Sequence, residues 1–333
     1  MRITIFILLG LGISPPGLAN GILRWGFGAR DMGAAGAFGG TDGDALTAVH
    51  VNPALLSTLQ ENQWTLSTRY LDGNSTFKRG GISTGLHDGE GAYPDFAASW
   101  QINDKLAIGI SAGAIHSEIN FNAPFIFQTN PALANAKVNL DMETDGWSPS
   151  IELGTLYRPS REWTVGGRFK LPVSLDNSGS AQVDYSAQLP SLGLAPASPV
   201  ADDEAQARVQ LPLTIGAGTA WRPNDLWIDW HQWSRSYDTF KVDLSRSSNA
   251  DLNGAIGSTP TDRIPLDWKD RFVFALGTAC ELNHEWTVRG GYRYGKSPIP
   301  DNLVTPLNGA TLEHAPILFQ IGAVRPRSRL QSW

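Results

Sequence analysis

The sequence predicts an all-β chain: a transmembrane antiparallel β-barrel with a compact plug at its N-terminal end. Three observations predict it. Apolar and polar residues alternate with period two along many runs of about 9–11 residues, the length of a tilted strand crossing a bilayer. Short turns alternate with long connections between these runs, as in barrels with turns on one side of a membrane and loops on the other. The composition is 17% charged and rich in Gly (35) and Trp (12), whereas an average soluble domain is about 25% charged.

The elements follow in chain order. Met1 and Arg2 precede an apolar run of 11 residues, Ile3–Ile13, and then Ser14-Pro15-Pro16-Gly17-Leu18-Ala19. A charged start, an apolar middle and small residues at Gly17 and Ala19 predict an export signal peptide over 1–19, cleaved after Ala19. The run is too short for a ~30 Å hydrocarbon layer. No later stretch approaches the roughly 20 apolar residues of a spanning helix, which leaves a closed barrel as the way to cross a membrane. Residues 20–60 lack the period of two. Gly33, Gly36, Gly39 and Gly40 suit tight backbone packing, and the segment reads as a plug ending in Val49-His50-Val51-Asn52-Pro53-Ala54-Leu55-Leu56.

Residues 61–326 read as the barrel, with about ten clear strands. Trp163, Val165, Gly167, Phe169 and Leu171 alternate with Thr164, Gly166, Arg168 and Lys170. Trp286, Val288, Gly290, Tyr292 and Tyr294 alternate with Thr287, Arg289, Gly291 and Arg293. In a membrane barrel the apolar set faces lipid and the polar set faces the lumen. Trp64, Trp163 and Trp286 open strands and Tyr70, Tyr157 and Tyr294 lie near strand ends, the placement of interfacial girdles. Short links are expected at 103–105, 159–161, 222–225 and 283–284. Long loops are expected at 117–145, 173–205, 242–266 and 298–314, with room for a hairpin around Ala181–Gln188. Asp202-Asp203-Glu204 falls in such a loop, solvated and within reach of cations bound to lipopolysaccharide. Residues 327–333 form a basic tail without alternation.

Several chemistries are excluded. The net charge is −6 and no Lys/Arg block stands out, which argues against a nucleic-acid partner. The single cysteine, Cys280, excludes a disulfide framework and Cys-based metal sites. The six histidines are not paired at ligand spacing, and Asp42-Gly43-Asp44 lacks the rest of a calcium loop, so no metal or other cofactor is expected. Gly81-Ile82-Ser83-Thr84-Gly85 spells a nucleophile elbow, but it sits in a Gly-rich hairpin rather than between strand and helix. The chain is not read as an enzyme. Arg168, Lys170, Arg289 and Arg293 share the polar register; each is a candidate partner for a ligand carboxylate, or for lumen acids such as Glu152.

The Gly/Ala-rich start, Asn52-Pro53-Ala54 and the barrel pattern together resemble the FadL/TodX family of outer-membrane transporters for hydrophobic compounds. Further matches keep their order: Leu211-Pro212-Leu213, Trp221-Arg222-Pro223-Asn224-Asp225, Asp229-Trp230, Trp233-Ser234, Trp268-Lys269-Asp270-Arg271, Trp286-Thr287-Val288-Arg289-Gly290-Gly291-Tyr292 and Ser297-Pro298-Ile299-Pro300-Asp301. The resemblance implies a fourteen-stranded barrel with an N-terminal hatch in its lumen, of which Asn52, Pro53 and Ala54 are the motif. It implies capture of long-chain fatty acids or hydrocarbons among outer loops, an interior apolar pocket, and sideways exit beside a kinked strand. Partners would be the ligand, outer-membrane lipid with lipopolysaccharide, and the barrel assembly machinery. This chain departs in strand count and in its basic end. The competing readings are a structural or adhesive barrel with a permanent plug and an outer-membrane lipid hydrolase.

Overall fold

A computed structural model defines residues 31, 33–37, 45–59, 71–79, 82–91, 96–126, 137–186, 199–221, 224–232, 239–245, 261–265, 267–281, 286–295, 298 and 318–323. The expected signal peptide, Asp42-Gly43-Asp44 and the 327–333 tail lie outside the described residues.

Among the described residues, fifteen strands lie on ten passes of the chain. They are β1 (Leu71–Arg79); β2 (Ile82–Gly91) with β3 (Phe96–Asn103); β4 (Leu106–Ile126); β5 (Lys137–Tyr157); β6 (Trp163–Lys170) with β7 (Val173–Asp184); β8 (Val200–Leu211) with β9 (Leu213–Trp221); β10 (Asn224–Gln232) with β11 (Thr239–Ser245); β12 (Thr261–Pro265) with β13 (Arg271–Glu281); β14 (Trp286–Gly295); and β15 (Leu318–Ala323). All belong to one antiparallel sheet, with passes neighbouring one another in chain order. The residues before the strands form α1 (Ala45–His50) and a 3₁₀ turn, Pro53–Thr58. They contact β3, β4 and β5, while Ala34 and Ala37 lie against Gly277 of β13. One short segment touches both the third and the eighth pass, so the sheet curls around it. The sheet face toward this segment is the inner face.

β5 shows how the wall is built. Its outer positions read Tyr157, Thr155, Leu153, Ile151, Pro149, Trp147 and then Asp145, Glu143 and Asp141, all exposed. An apolar stretch thus runs between two aromatics and gives way to acids. Neighbouring strands repeat the belt: Ile108, Trp163, Val165, Ile215, Trp221, Phe272, Phe274 and Leu276 are all at least two-fifths exposed. An apolar outer band framed by aromatics is what lipid requires and what a soluble protein avoids. Trp163 and Trp221 pair across β6 and β9 at 6.2 Å between ring centroids, at the same end as Tyr157. At the other end His116 tilts against Trp147 at 4.8 Å and meets Asp145 at 3.4 Å.

Beyond Trp147 the faces exchange polarity. Val138, Leu140 and Met142 of β5 are buried inward while Asp141 and Glu143 face out. The expected long loops are therefore partly strand. Residues 117–126 and 137–145 extend β4 and β5, and 173–184 and 200–205 lie in β7 and β8. Alternation continues there, but with the apolar set turned inward. Of the expected hairpin near Ala181–Gln188, Ala181–Asp184 are the end of β7, which pairs with β8 from Val173↔Leu211 to Asp184↔Val200, and residues 187–188 lie outside the described residues. Asp202-Asp203-Glu204 is likewise corrected: it lies in β8, with Asp202 and Glu204 exposed and Asp203 buried inward at 5% exposure.

The two parts of the wall meet at a row of interruptions. The register of β6 with β9 and of β7 with β8 is continuous, Lys170↔Thr214 and Val173↔Leu211, which sets Pro172 opposite Pro212. The Leu171 N–H donates back to the Ile151 carbonyl of β5 at 3.1 Å, so the next residue would direct its N–H toward β8. Both facing residues are prolines and neither has that donor, which ends one ladder and starts the next. At the opposite strand ends the turns are tight. The Asn103 Oδ1 accepts from the N–H of Lys105 (2.9 Å) and Leu106 (3.0 Å), and the Ser160 Oγ accepts from Glu162 and Trp163.

Candidate functional site

The site is built from the N-terminal segment and the inner wall. Asn52 caps the 3₁₀ turn in an extended conformation, φ −146° and ψ 95°, and its Oδ1 accepts from the Ala54 N–H at 3.2 Å. Pro53 occupies the first turn position, where a missing N–H costs nothing. The other end of the Asn52 amide, Nδ2, donates to the Thr155 carbonyl of β5 at 3.1 Å. Asn52 is fully buried. Its one side chain thus closes the turn and ties it to the wall. Ala48, Ala54 and Leu55 pack with Ala107 and Leu156 in a buried apolar cluster.

The wall is shaped to receive this turn. Gly109 of β4 and Gly154 of β5 are cross-strand partners. A Cβ on Gly109 would collide with the backbone of Pro53 and Ala54, and one on Gly154 would collide with the Asn52 Oδ1. The glycine pair is a notch, and Asn52, Pro53 and Ala54 fill it.

The inner charges lie beside it. Glu152, 4% exposed, pairs with Arg168 at 3.8 Å and stands opposite Lys170 in the β5–β6 register. Arg293 is buried on β14, and Arg289 shares its inner register. The four cations expected on the polar register thus share one face of the sheet, and Arg168 is engaged by Glu152. Arg168→Met should lower stability by about 3–5 kcal/mol, because Glu152 keeps its buried charge, while Arg168→Met with Glu152→Leu should recover most of the loss. Urea unfolding in vesicles measures both.

Above the interruptions the inner face is mostly apolar, with Ser117, Thr144, Asn177 and Asp203 as its buried polar members. Phe121, Phe125, Val138, Leu140, Met142 and Val183 are buried there, with Ala201, Ala205 and Ala207 of β8. Tyr185, 1% exposed, stands at its outer end. Burial, and then the Asp203 carboxylate, raise its phenol well above the ordinary value. Reading these segments as loops hides the lining. The alternation Val138-Asn139-Leu140-Asp141-Met142-Glu143 is the signal in the sequence that could have found it.

Gly81 lies outside the described residues, and Ile82–Gly85 lie within the regular β1–β2 ladder, Ser83 opposite Lys78. Among the described residues no group of His, Cys, Asp or Glu could hold a metal ion.

A sheet that wears an apolar band outside, holds polar and charged groups inside and curls around its own N-terminal segment is an outer-membrane β-barrel. The sequence over residues 93–307 matches the family described as Outer membrane protein transport protein (OMPP1/FadL/TodX), and the chain belongs to that family. Family members are transport channels of the Gram-negative outer membrane, not enzymes. The chain is 21% identical over 253 residues to the long-chain fatty acid transport protein of Salmonella typhi, covering 68% of this chain and 54% of that one. It is 24% identical over 194 residues to alkane uptake protein A of Marinobacter nauticus, covering 55% of this chain and 39% of that one. The aligned stretches thus span about half or less of these relatives. Among solved structures, the Pseudomonas putida toluene transporter TodX superposes with a TM-score of 0.61 at 15% identity, with 87% of each chain covered. The Ralstonia pickettii toluene transporter TbuX gives 0.60 at 16% identity, with 81% of this chain and 86% of that one covered.

Proposed function

We propose that this protein carries hydrophobic small molecules across the outer membrane. The carrying observation is the exchange of faces beyond Trp147. The wall above the lipid turns its apolar side inward, from Phe125 and Val138 down toward the N-terminal segment. Such a lining repays the desolvation of an apolar ligand at about 0.8 kcal/mol per buried methylene. The ligand is captured among the outer connections, held in this apolar interior, and released sideways when the N-terminal segment moves as a hatch within a closed barrel. Residues 20–60 are the hatch and 61–326 the barrel, exported by the 1–19 signal and folded by the barrel assembly machinery into a lipopolysaccharide-bearing membrane.

The ligand class is long-chain fatty acids or hydrocarbons, the compounds named in the relatives' descriptions. Arg168, Lys170, Arg289 and Arg293, which share the inner face, are the candidate partners for a ligand carboxylate. The snug notch at Gly109 and Gly154 favours a second reading, a structural barrel with a permanent plug. Uptake of a radiolabelled alkane and of a long-chain acid separates the two. Cells carrying the protein should take up at least one of them several-fold faster than cells without it, and Leu140→Asp should abolish the gain while assembly persists. Equal uptake with and without the protein supports the permanent plug.

A further inference from the structure

One row of the outer wall gathers positive charge. Asp176 of β7, Arg208 of β8, Lys241 of β11 and Arg263 of β12 stand in register across four neighbouring strands. Cross-strand partners share a face of the sheet. Asp176 and Arg208 are exposed on the outer face, so all four positions lie outside. Asp176 forms an ion pair with Arg208, but an exposed pair of this kind holds its partners weakly. Lys241 has an arginine directly opposite on each side. The acid nearest to it on its own strand is Asp243, one outward position further along, opposite Gln206 and Thr261. Like charges directly opposite one another destabilise a sheet. Nearby outward positions are instead acidic, Glu143 and Asp145 of β5 and Glu204 of β8 among them.

Depth decides what such a row meets. The outward face below it is apolar up to Leu171 beyond β6 and through Ile215 and Leu213 of β9. Ser174 and Gln210 form the next outward pair, and Asp176 and Arg208 the one after. A Cβ on Gly146 would meet the Asp176 carbonyl, so Asp176 lies beside Trp147, the aromatic that ends the apolar band of β5. The row therefore begins at the upper edge of the lipid, at the level of the headgroups. A phosphate there accepts from two or three cations at once and screens them from one another, and clustered Lys and Arg at a membrane edge bind phosphate headgroups. Strands lie about 4.8 Å apart, so the three cationic positions span roughly 10 Å, within reach of one phosphate for side chains as long as Lys and Arg.

We propose that Arg208, Lys241 and Arg263 form a docking row for a phosphate of the lipopolysaccharide in the outer leaflet. The like charges that burden the bare sheet become its lipid contact once the protein is in its own membrane. The inference rests on the outer-membrane location of the family and is independent of the transport reading.

The test uses the full-length protein in a non-ionic, phosphate-free detergent. Lipid A bearing its phosphates should bind at least tenfold more tightly than the same lipid A with the phosphates removed, and more tightly than phosphatidylglycerol. Lys241→Gln with Arg263→Gln should erase that preference. Lys137→Gln, at the far end of the outer face of β5, should keep it. A second readout separates lipid docking from a merely structural role. In detergent alone the double variant should unfold no faster than the parent, because repulsion across the row is relieved. With phosphorylated lipid A added, the unfolding half-life of the parent should lengthen several-fold and that of the variant should not. Equal binding of the phosphorylated and dephosphorylated lipids, equal binding of phosphatidylglycerol, or a preference retained by the double variant overturns the proposal. Faster unfolding of the double variant in detergent alone assigns the row to the stability of the sheet and overturns it as well. Should the double variant fail to assemble, Lys241→Gln alone is scored in the same way.

Discussion

Replacing Leu153 with arginine is expected to destabilise the membrane-inserted protein by about 2–4 kcal/mol, and replacing Val165 by no more than about 1 kcal/mol. Both residues are outer and comparably exposed, 44% and 43%, so exposure alone predicts equal effects. Depth separates them. From Tyr157 to Trp147 the outer face of β5 crosses the apolar band. Ten steps of about 3.3 Å, tilted by about 45°, give roughly 23 Å, close to the height of such a band. Leu153 lies within that span, in register with Ile110 and Phe169. Val165 pairs with Tyr157 and so sits at the aromatic rim, where an arginine head can reach the interface. Urea unfolding in vesicles compares the two variants. Equal losses would mean that the aromatics do not mark the edges of the lipid.

Much of this wall was legible in the sequence, because a half-buried strand writes its two faces alternately. Trp163–Leu171 and Trp286–Tyr294 follow the pattern directly. What misled was the assumption that one polarity holds along a whole strand. In β5 the outer set changes from Ile151 and Leu153 to Glu143 and Asp141, and the acids made a strand look like a loop. Asp203 was misplaced for the same reason. The glycines were harder. Gly109 sits in Leu106–Ala114 as one small residue among several, and Gly154 follows Leu153 without any mark. Only the β4–β5 register sets them side by side, and only the returning N-terminal segment shows what they accommodate. Asn52-Pro53-Ala54 was legible through its family resemblance; its tie to the Thr155 carbonyl, 103 residues away, has no local trace. The Glu152–Arg168 pair lay between: parity placed both on one face, and register brought them together.

The second large effect is expected at this notch. Gly154→Val and the double variant Asn52→Leu with Pro53→Gly should each unseat the turn while the barrel assembles, since the change lies between the segment and the wall rather than within the ladder. A valine at 154 puts Cβ where the Asn52 Oδ1 now sits. The wall cannot yield there, because Gly154 is paired with Gly109 on one side and Arg168 on the other. The double variant works from the other partner. It removes the donor to Thr155 and the acceptor for Ala54, and without the Pro53 ring the φ of the turn is no longer fixed. Loss of the tie is worth about 1 kcal/mol, and exposure of Leu55, now fully buried, about 2 kcal/mol. A total near 3 kcal/mol shifts the seated fraction by roughly a hundredfold. Single-channel conductance in planar bilayers should therefore rise from closed to open for small ions, and polar solutes should enter vesicles carrying either variant. Gly154→Ala should give a smaller effect of the same sign, and Thr155→Val almost none, because the acceptor at 155 is the backbone carbonyl. Normal assembly with unchanged conductance in both variants would return Asn52-Pro53-Ala54 to an ordinary turn that leads into the first strand.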